Sequence, residues 1–132
     1  MVKLTQEMKE SFAGAKHFYI ATSTKDGVPN VVPVTFLKIY DDETLLISNQ
    51  FFNKTLKNLE ENPRVAVAFW GDKGGFQFKG NVTIHKSGKP FDDADAFVKS
   101  RRPEMAPRSA VVMKITDVFQ LKSGPDAGKK LL

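Results

Sequence analysis

The sequence predicts a mainly β fold, in which six antiparallel strands curl into a closed or nearly closed barrel with short helices between them. Three observations carry this reading. Segments rich in β-branched and aromatic residues recur along the chain, separated by turn residues such as Lys25-Asp26-Gly27 and Asp41-Asp42-Glu43. Residues 76–86 alternate: Phe76, Phe78, Val82 and Ile84 share one side, and Gln77, Lys79, Asn81 and Thr83 the other. That is the pattern of a strand with one buried face. Finally, a chain of 132 residues that is 41% hydrophobic, with 11 Phe, suits a single domain (1–132) with a substantial core.

The chain opens with a helix. Leu4, Met8, Phe12 and Ala15 fall on one stripe, Thr5 can cap the start, and Gly14 lies near the end. Residues 17–24 form the first strand. The second, residues 30–40, is long and interrupted by Pro33, which cannot donate to a ladder and so belongs at an edge, a bulge or a gap. Residues 44–49 form the third strand. A helix follows over 53–61, capped by Asn53, with Leu56 and Leu59 buried, and stopped by Asn62-Pro63. Residues 64–70 are a continuous apolar strand and 71–75 a loose turn. In the alternating strand that follows, Gly80 suggests a bulge or a close backbone approach. Residues 91–100 read as a helix ended by Arg101-Arg102-Pro103, 110–122 as the last strand, and 124–132 as a tail.

Composition excludes much chemistry. There is no cysteine, hence no disulfide, thiolate nucleophile or Cys-ligated metal. His17 and His85 lack ligand-spaced partners, which argues against a metal site. Redox chemistry here requires a bound organic cofactor. The longest apolar run, residues 65–70, falls far short of the roughly 20 residues a membrane helix needs. The N-terminus has no signal-peptide stretch. The expectation is a cytoplasmic protein without membrane contact. The net charge of +5 favours anionic partners, but acids are interspersed. The densest basic cluster, residues 99–102, reads as a solvated surface.

The strongest local signal is residues 49–55. A strand ends at Ser48-Asn49, crosses a loop containing Phe51 and Phe52, and enters a helix at Asn53-Lys54-Thr55. Helix N-termini offer unpaired N–H groups and a positive dipole end, which suit a phosphate. Lys54 adds a charge and Thr55 a hydroxyl. From spacing alone, the same residues also fit an ordinary exposed helix start.

The ordered set Ile20-Ala21-Thr22, residues 26–34 (Asp26-Gly27-Val28-Pro29-Asn30-Val31-Val32-Pro33-Val34), Leu46-Ile47-Ser48-Asn49, Asn53-Lys54-Thr55 and Asn58-Leu59-Glu60-Glu61-Asn62-Pro63-Arg64-Val65-Ala66 resembles the pyridoxamine 5'-phosphate oxidase-like family of FMN-binding split barrels. The likeness spans residues 17–85. It implies a six-stranded Greek-key split barrel, paired as a homodimer with FMN in the groove between chains. It also implies a flavin-dependent oxidoreductase or electron carrier with a small-molecule or protein redox partner. By match, Pro33, Val34 and Thr35, extending toward Lys38, line the flavin ring. Ser48 and Asn49 meet the ribityl chain or ring edge, and Asn53, Lys54 and Thr55 hold the phosphate. Gln77 corresponds most nearly to a ring-contacting Gln.

The sequence also departs from the oxidases. They carry Ser-Arg-Lys where Asn53-Lys54-Thr55 keeps one cation of two, and an Arg where Val32 or Pro33 stands. Their C-terminal substrate-binding Arg and His have no counterpart. This implies weaker FMN retention and argues against pyridoxal-forming activity.

No residue offers itself as an obligatory acid or base, so none is assigned as catalytic. Trp70 fits the core, a dimer interface or a flavin edge. Phe51 and Phe52 fit a cover over ligand or partner. The order of strands and helix also matches an OB-fold, which would use Phe76, Phe78 and Lys79 to stack on single-stranded nucleic acid. Since Phe76 and Phe78 share a face with Val82 and Ile84, that nucleic-acid reading ranks second. A third reading keeps the fold and exchanges FMN for a deazaflavin or haem.

Overall fold

Alternation in the sequence becomes an antiparallel sheet in the computed structural model, which describes residues 2–132. The elements run α1 (Gln6–Gly14), β1 (His17–Ser23), β2 (Pro29–Val34), β3 (Leu37–Asp41), β4 (Thr44–Asn49), α2 (Lys54–Glu61), β5 (Arg64–Gly71), β6 (Gly74–His85), α3 (Lys89–Arg101) and β7 (Ser109–Gln120). Their spatial order is β2-β1-β5-β6-β7-β4-β3.

This corrects the expected strand count. The sheet has seven strands rather than six, because residues 30–40 divide into β2 and β3, which lie at opposite edges. No ladder joins those edges, so the barrel is not closed. Only Thr35 and Phe36 separate the two strands in sequence. Val34 and Leu37 therefore lie within about 11 Å, three trans peptide steps. The sheet must curl until its edges nearly meet, with the chain crossing the gap. Pro33, lacking an N–H, sits on edge strand β2 opposite Tyr19, where a missing donor costs least.

Inside the curl, Ile20, Val67, Phe69, Phe78, Leu45, Met113 and Val118 are fully buried. Helix α1 closes one end. Thr5 caps it by accepting the Met8 N–H at 3.2 Å, and Phe12 packs against Phe18 and Phe69 with ring centroids 4.7 and 5.2 Å away. Helix α3 covers the outside of β4 and β7 through Leu46, Ala94 and Ala110. Strand β4 is therefore buried on both faces, which explains its unbroken Leu45-Leu46-Ile47 run. Phe76 and Phe78 point into this core, so the exposed aromatic face required by the OB-like reading is not formed.

At Gly80 the β6–β7 register slips by one residue. Lys79 faces Asp117 but Gly80 faces Ile115, which leaves Thr116 as the extra residue of a bulge. The predicted loose turn at 71–75 is instead tight. Gly71 pairs with Gly74 across Asp72-Lys73, and Gly74 takes φ +83°. The predicted tail also has structure. Residues 129–132 fold back on β7, with Leu131 N–H donating to Val118 at 2.7 Å and Lys130 pairing with Asp117 at 2.9 Å.

Candidate functional site

The residues around the chain crossing enclose a cavity of about 600 Å³, within the usual range for small-molecule sites. One wall is the end of β2 and the crossing itself, Val32 to Phe36. As an edge strand, β2 leaves a row of main-chain N–H and C=O groups unpaired on that side. Opposite stand Ser48, the loop after β4, and the first turn of α2 with Lys54 and Thr55. The end of α3 completes the site with Arg101, Arg102 and the following Met105.

The start of α2 is unusual. Asn53 occupies the cap position but makes no side-chain cap hydrogen bond, contrary to expectation, and no acid lies in the first turn. The early N–H groups are thus left for another acceptor. Thr55 is buried, and its hydroxyl accepts from Asn30 Nδ2 at 3.0 Å. That acceptance leaves the hydroxyl proton free to donate into the cavity. Asn30 also donates to Thr22 Oγ1 at 3.2 Å, and Asn58 donates to the same oxygen at 3.0 Å. This buried polar network ties α2 to β1 and β2 and so fixes the height of Lys54 and Thr55 above the sheet. Asn58→Ala should lower stability by about 1–3 kcal/mol and loosen the cavity with it. Urea denaturation of the ligand-free protein measures the effect. An unchanged midpoint would show that the network does not hold the helix.

The charge distribution is one-sided. Lys54, Arg101 and Arg102 line the cavity, and no carboxylate does among the described residues. Arg101 stacks on Phe97 at 4.6 Å from the ring centroid rather than pairing with an acid. Helix α3 is pinned by the Tyr40 hydroxyl, which donates to Asp93, while Lys89 reaches the same carboxylate at 3.0 Å. The Tyr40 hydrogen bond, followed by Lys89, holds the Asp93 carboxyl below its ordinary range. The same bond, with burial, pushes Tyr40 up to about 12. The two shifts widen the pH range over which Asp93 stays ionised and Tyr40 protonated, so this anchor of α3 holds well to either side of neutral pH.

Seven of the nine residues singled out from the sequence line this cavity: Pro33, Val34, Thr35, Ser48, Asn53, Lys54 and Thr55. Asn49 does not. It is buried, donates to Ser109 Oγ at 3.0 Å and accepts the Phe52 N–H at 2.9 Å, so it shapes the loop from below. Gln77 does not either. It lies on β6 opposite Ala68, which faces Tyr19, which faces Pro33. Trp70 is not a core residue; it is 53% exposed and stacked on Tyr19 at 5.7 Å. Sequence reasoning missed Gln50, Met105 and the two arginines. The only signal for the arginines was the basic density of residues 99–102.

The family model described as pyridoxamine 5'-phosphate oxidase matches residues 4–122. An uncharacterized protein of Methanocaldococcus jannaschii is 45% identical over 132 residues, covering 98% of this chain and 88% of that one. The crystal structure of HupZ from Group A Streptococcus superposes with a TM-score of 0.83 at 27% identity, covering 95% of this chain and 99% of that chain. An FMN-binding protein from Syntrophomonas wolfei shares the fold, with a TM-score of 0.79 at 15% identity over 90% of this chain and 86% of that chain.

Proposed function

The chain belongs to the pyridoxamine 5'-phosphate oxidase family, and from that premise we propose that it binds FMN in the cavity at the α2 start and works as a small flavin-dependent oxidoreductase or electron carrier. The observation that carries this reading is the uncapped α2 N-terminus, with Lys54, Thr55 and two arginines converging and no acid opposing them. Such a donor set suits a phosphate dianion. The apolar Val32, Val34 and Phe36 supply a dry surface for a ring system, and the free edge of β2 supplies main-chain partners for its heteroatoms.

When bound, the flavin supplies one- and two-electron transfer. The protein's part is to hold and shield. Lys54, Arg101 and Arg102 neutralise the phosphate. Thr55, set by Asn30, donates a directed hydrogen bond. The loop after β4, tied to the α3–β7 connection by Gln50 donating to the Ala106 carbonyl at 3.2 Å, limits water entry from the side. FMN at a hundredfold excess over its dissociation constant should stabilise the native state by about 2.7 kcal/mol, raising the melting temperature by about 5–10 °C. Riboflavin, with no phosphate, should do less. Equal shifts would mean that the ring alone is recognised. The absorption spectrum of the loaded protein separates FMN from a deazaflavin or a haem in the same cavity.

We further propose a homodimer. The outer face of β2, β1 and β5 carries Val31, Tyr19, Ala66, Ala68 and Trp70 in neighbouring register positions. Val31 and Trp70 are 64% and 53% exposed, and a contiguous apolar patch of this kind marks an interaction surface. Gln77 and Pro33 lie on the same face, so symmetric pairing across it can bring the Gln77 of one copy toward the cavity wall of the other. Light scattering should show a dimer at micromolar concentration, and Trp70→Glu should shift it to monomer and weaken FMN. A monomer that still binds FMN tightly would overturn this.

A further inference from the structure

Two buried residues bring hydroxyls to the cavity, Ser48 and Thr55, 3% and 2% exposed. A hydroxyl has one proton to give and two lone pairs with which to accept, so what it offers a ligand depends on what its protein partners have taken. At Ser48 the Gln50 side chain decides this. Gln50 begins the loop after β4 and lines the cavity as well. Its amide meets the Ala106 carbonyl at 3.2 Å on one side and the Ser48 hydroxyl on the other. A main-chain carbonyl only accepts, so the Gln50 Nε2 must face Ala106, and Oε1 is thereby turned toward Ser48. The opposite orientation would set two carbonyl oxygens against each other at Ala106. An amide oxygen also only accepts, so the Ser48 proton goes to Gln50. Ser48 is left with lone pairs alone for anything in the cavity. Thr55 is set the other way, because Asn30 fills one of its lone pairs and leaves its proton free.

We propose that Gln50 is a positioning residue that fixes Ser48 as a hydrogen-bond acceptor, so that the cavity selects a ligand bearing a hydroxyl donor beside its phosphate. The inference rests on the FMN reading and deepens it. A phosphate dianion carries acceptors alone, which suits Thr55 and Lys54 and is unsuited to Ser48. The ribityl chain of FMN, between ring and phosphate, carries hydroxyls that can donate, and Ser48 accepts from one of them. The opposed settings of the two hydroxyls give the site a direction, with the phosphate toward the α2 start and the polyol toward the end of β4.

The test is calorimetric titration of the protein with FMN and with an analogue whose ribityl phosphate is replaced by a plain pentyl phosphate. The two ligands share ring and phosphate, so the ratio of their dissociation constants reports the hydroxyl contacts and cancels any general loosening or change of charge. The parent should prefer FMN. Ser48→Ala should cut that preference by about 2- to 10-fold, the worth of one neutral hydrogen bond. Gln50→Met, of similar length but with no amide to take the proton, should cut it in the same direction. Gln50→Glu should restore it to within about twofold of the parent, since a carboxylate also takes the Ser48 proton, even though its added charge weakens both ligands. An unchanged ratio in Ser48→Ala or in Gln50→Met overturns the inference and leaves the flavin reading standing. So does a Gln50→Glu ratio that falls with that of Gln50→Met, because the tie to Ala106 and not the accepted proton would then matter. If FMN does not bind the parent protein, the flavin reading fails and takes this inference with it.

Discussion

Lys54→Ala is expected to weaken FMN by about 10- to 150-fold while leaving riboflavin nearly unaffected. The range follows from the roughly 1.5–3 kcal/mol of a charge-assisted hydrogen bond shielded by its ligand. Lys54 opens α2, where no acid balances it and no side chain caps the helix. In the ligand-free protein its ammonium repels the positive end of the helix dipole, so alanine there should leave stability unchanged or slightly improved. The contrast between unchanged stability and lost FMN affinity distinguishes a phosphate contact from a structural lysine. The loss should shrink as salt rises, because the residue is exposed. Thr55→Val should behave differently. It removes a donor but also strips Asn30 of one acceptor, so it should cost stability as well as affinity. Equal losses for FMN and riboflavin in Lys54→Ala, or none for either, would place the phosphate elsewhere.

Gly80→Ala is expected to destabilise the fold by about 3 kcal/mol or more, a large part of the roughly 5–15 kcal/mol that holds a domain together. A Cβ at this position would come 1.9 Å from the Lys114 carbonyl oxygen and 3.2 Å from the Ile115 Cα. Both are backbone of β7, which cannot rotate aside as a side chain would. Relief requires moving β7 at the bulge, where the ladder on one side runs to the β6–β7 end carrying His85 and Ala110. Gly27→Ala makes a useful contrast. Gly27 sits at φ +88° in an exposed turn with nothing near its absent side chain, so its cost is conformational only, about 1 kcal/mol. Guanidinium denaturation of the two variants compares them directly. A Gly80→Ala protein within 1 kcal/mol of the parent would mean that β7 adapts freely there.

Local chemistry made much of the fold legible. The alternation of residues 76–86 and the boundaries of β4 depend on which side chains face a core, and neighbouring residues encode that. Gly80 announced itself as the one gap in a regular pattern. The division of residues 30–40 was not legible, because Thr35 and Phe36 carry no turn signature. What separates β2 from β3 is that β2 pairs back onto β1 and β3 forward onto β4, and these two hairpins lie at opposite ends of the sheet, a placement set by β5, β6 and β7 far along the chain. Pro33 hinted at an edge but could not say which. The candidate site shows the same limit. Lys54 and Thr55 were visible because a strand, a short loop and a helix start are consecutive. Arg101 and Arg102 reach the cavity only because α3 packs over β4, and a basic helix end looks the same whether it faces solvent or a ligand. Gln77 was carried by resemblance alone, and its strand leads to the outer face instead.

The strand order also has a consequence for the sequence of folding events. Strand β4 has only β3 and β7 as sheet neighbours, so the β3–β4 hairpin joins the rest of the sheet through β7 alone. Ser48 pairs with Ala110 and Asn49 with Ser109, so the floor beneath the loop after β4 exists only once the last strand has docked. Pairings of such large sequence separation form late and slowly. On a ribosome, every residue that lines the cavity would therefore emerge before the cavity could exist. A flavin held in this cavity, as proposed above, would then bind only once the last strand has docked, so its loading would follow synthesis of the chain instead of accompanying it.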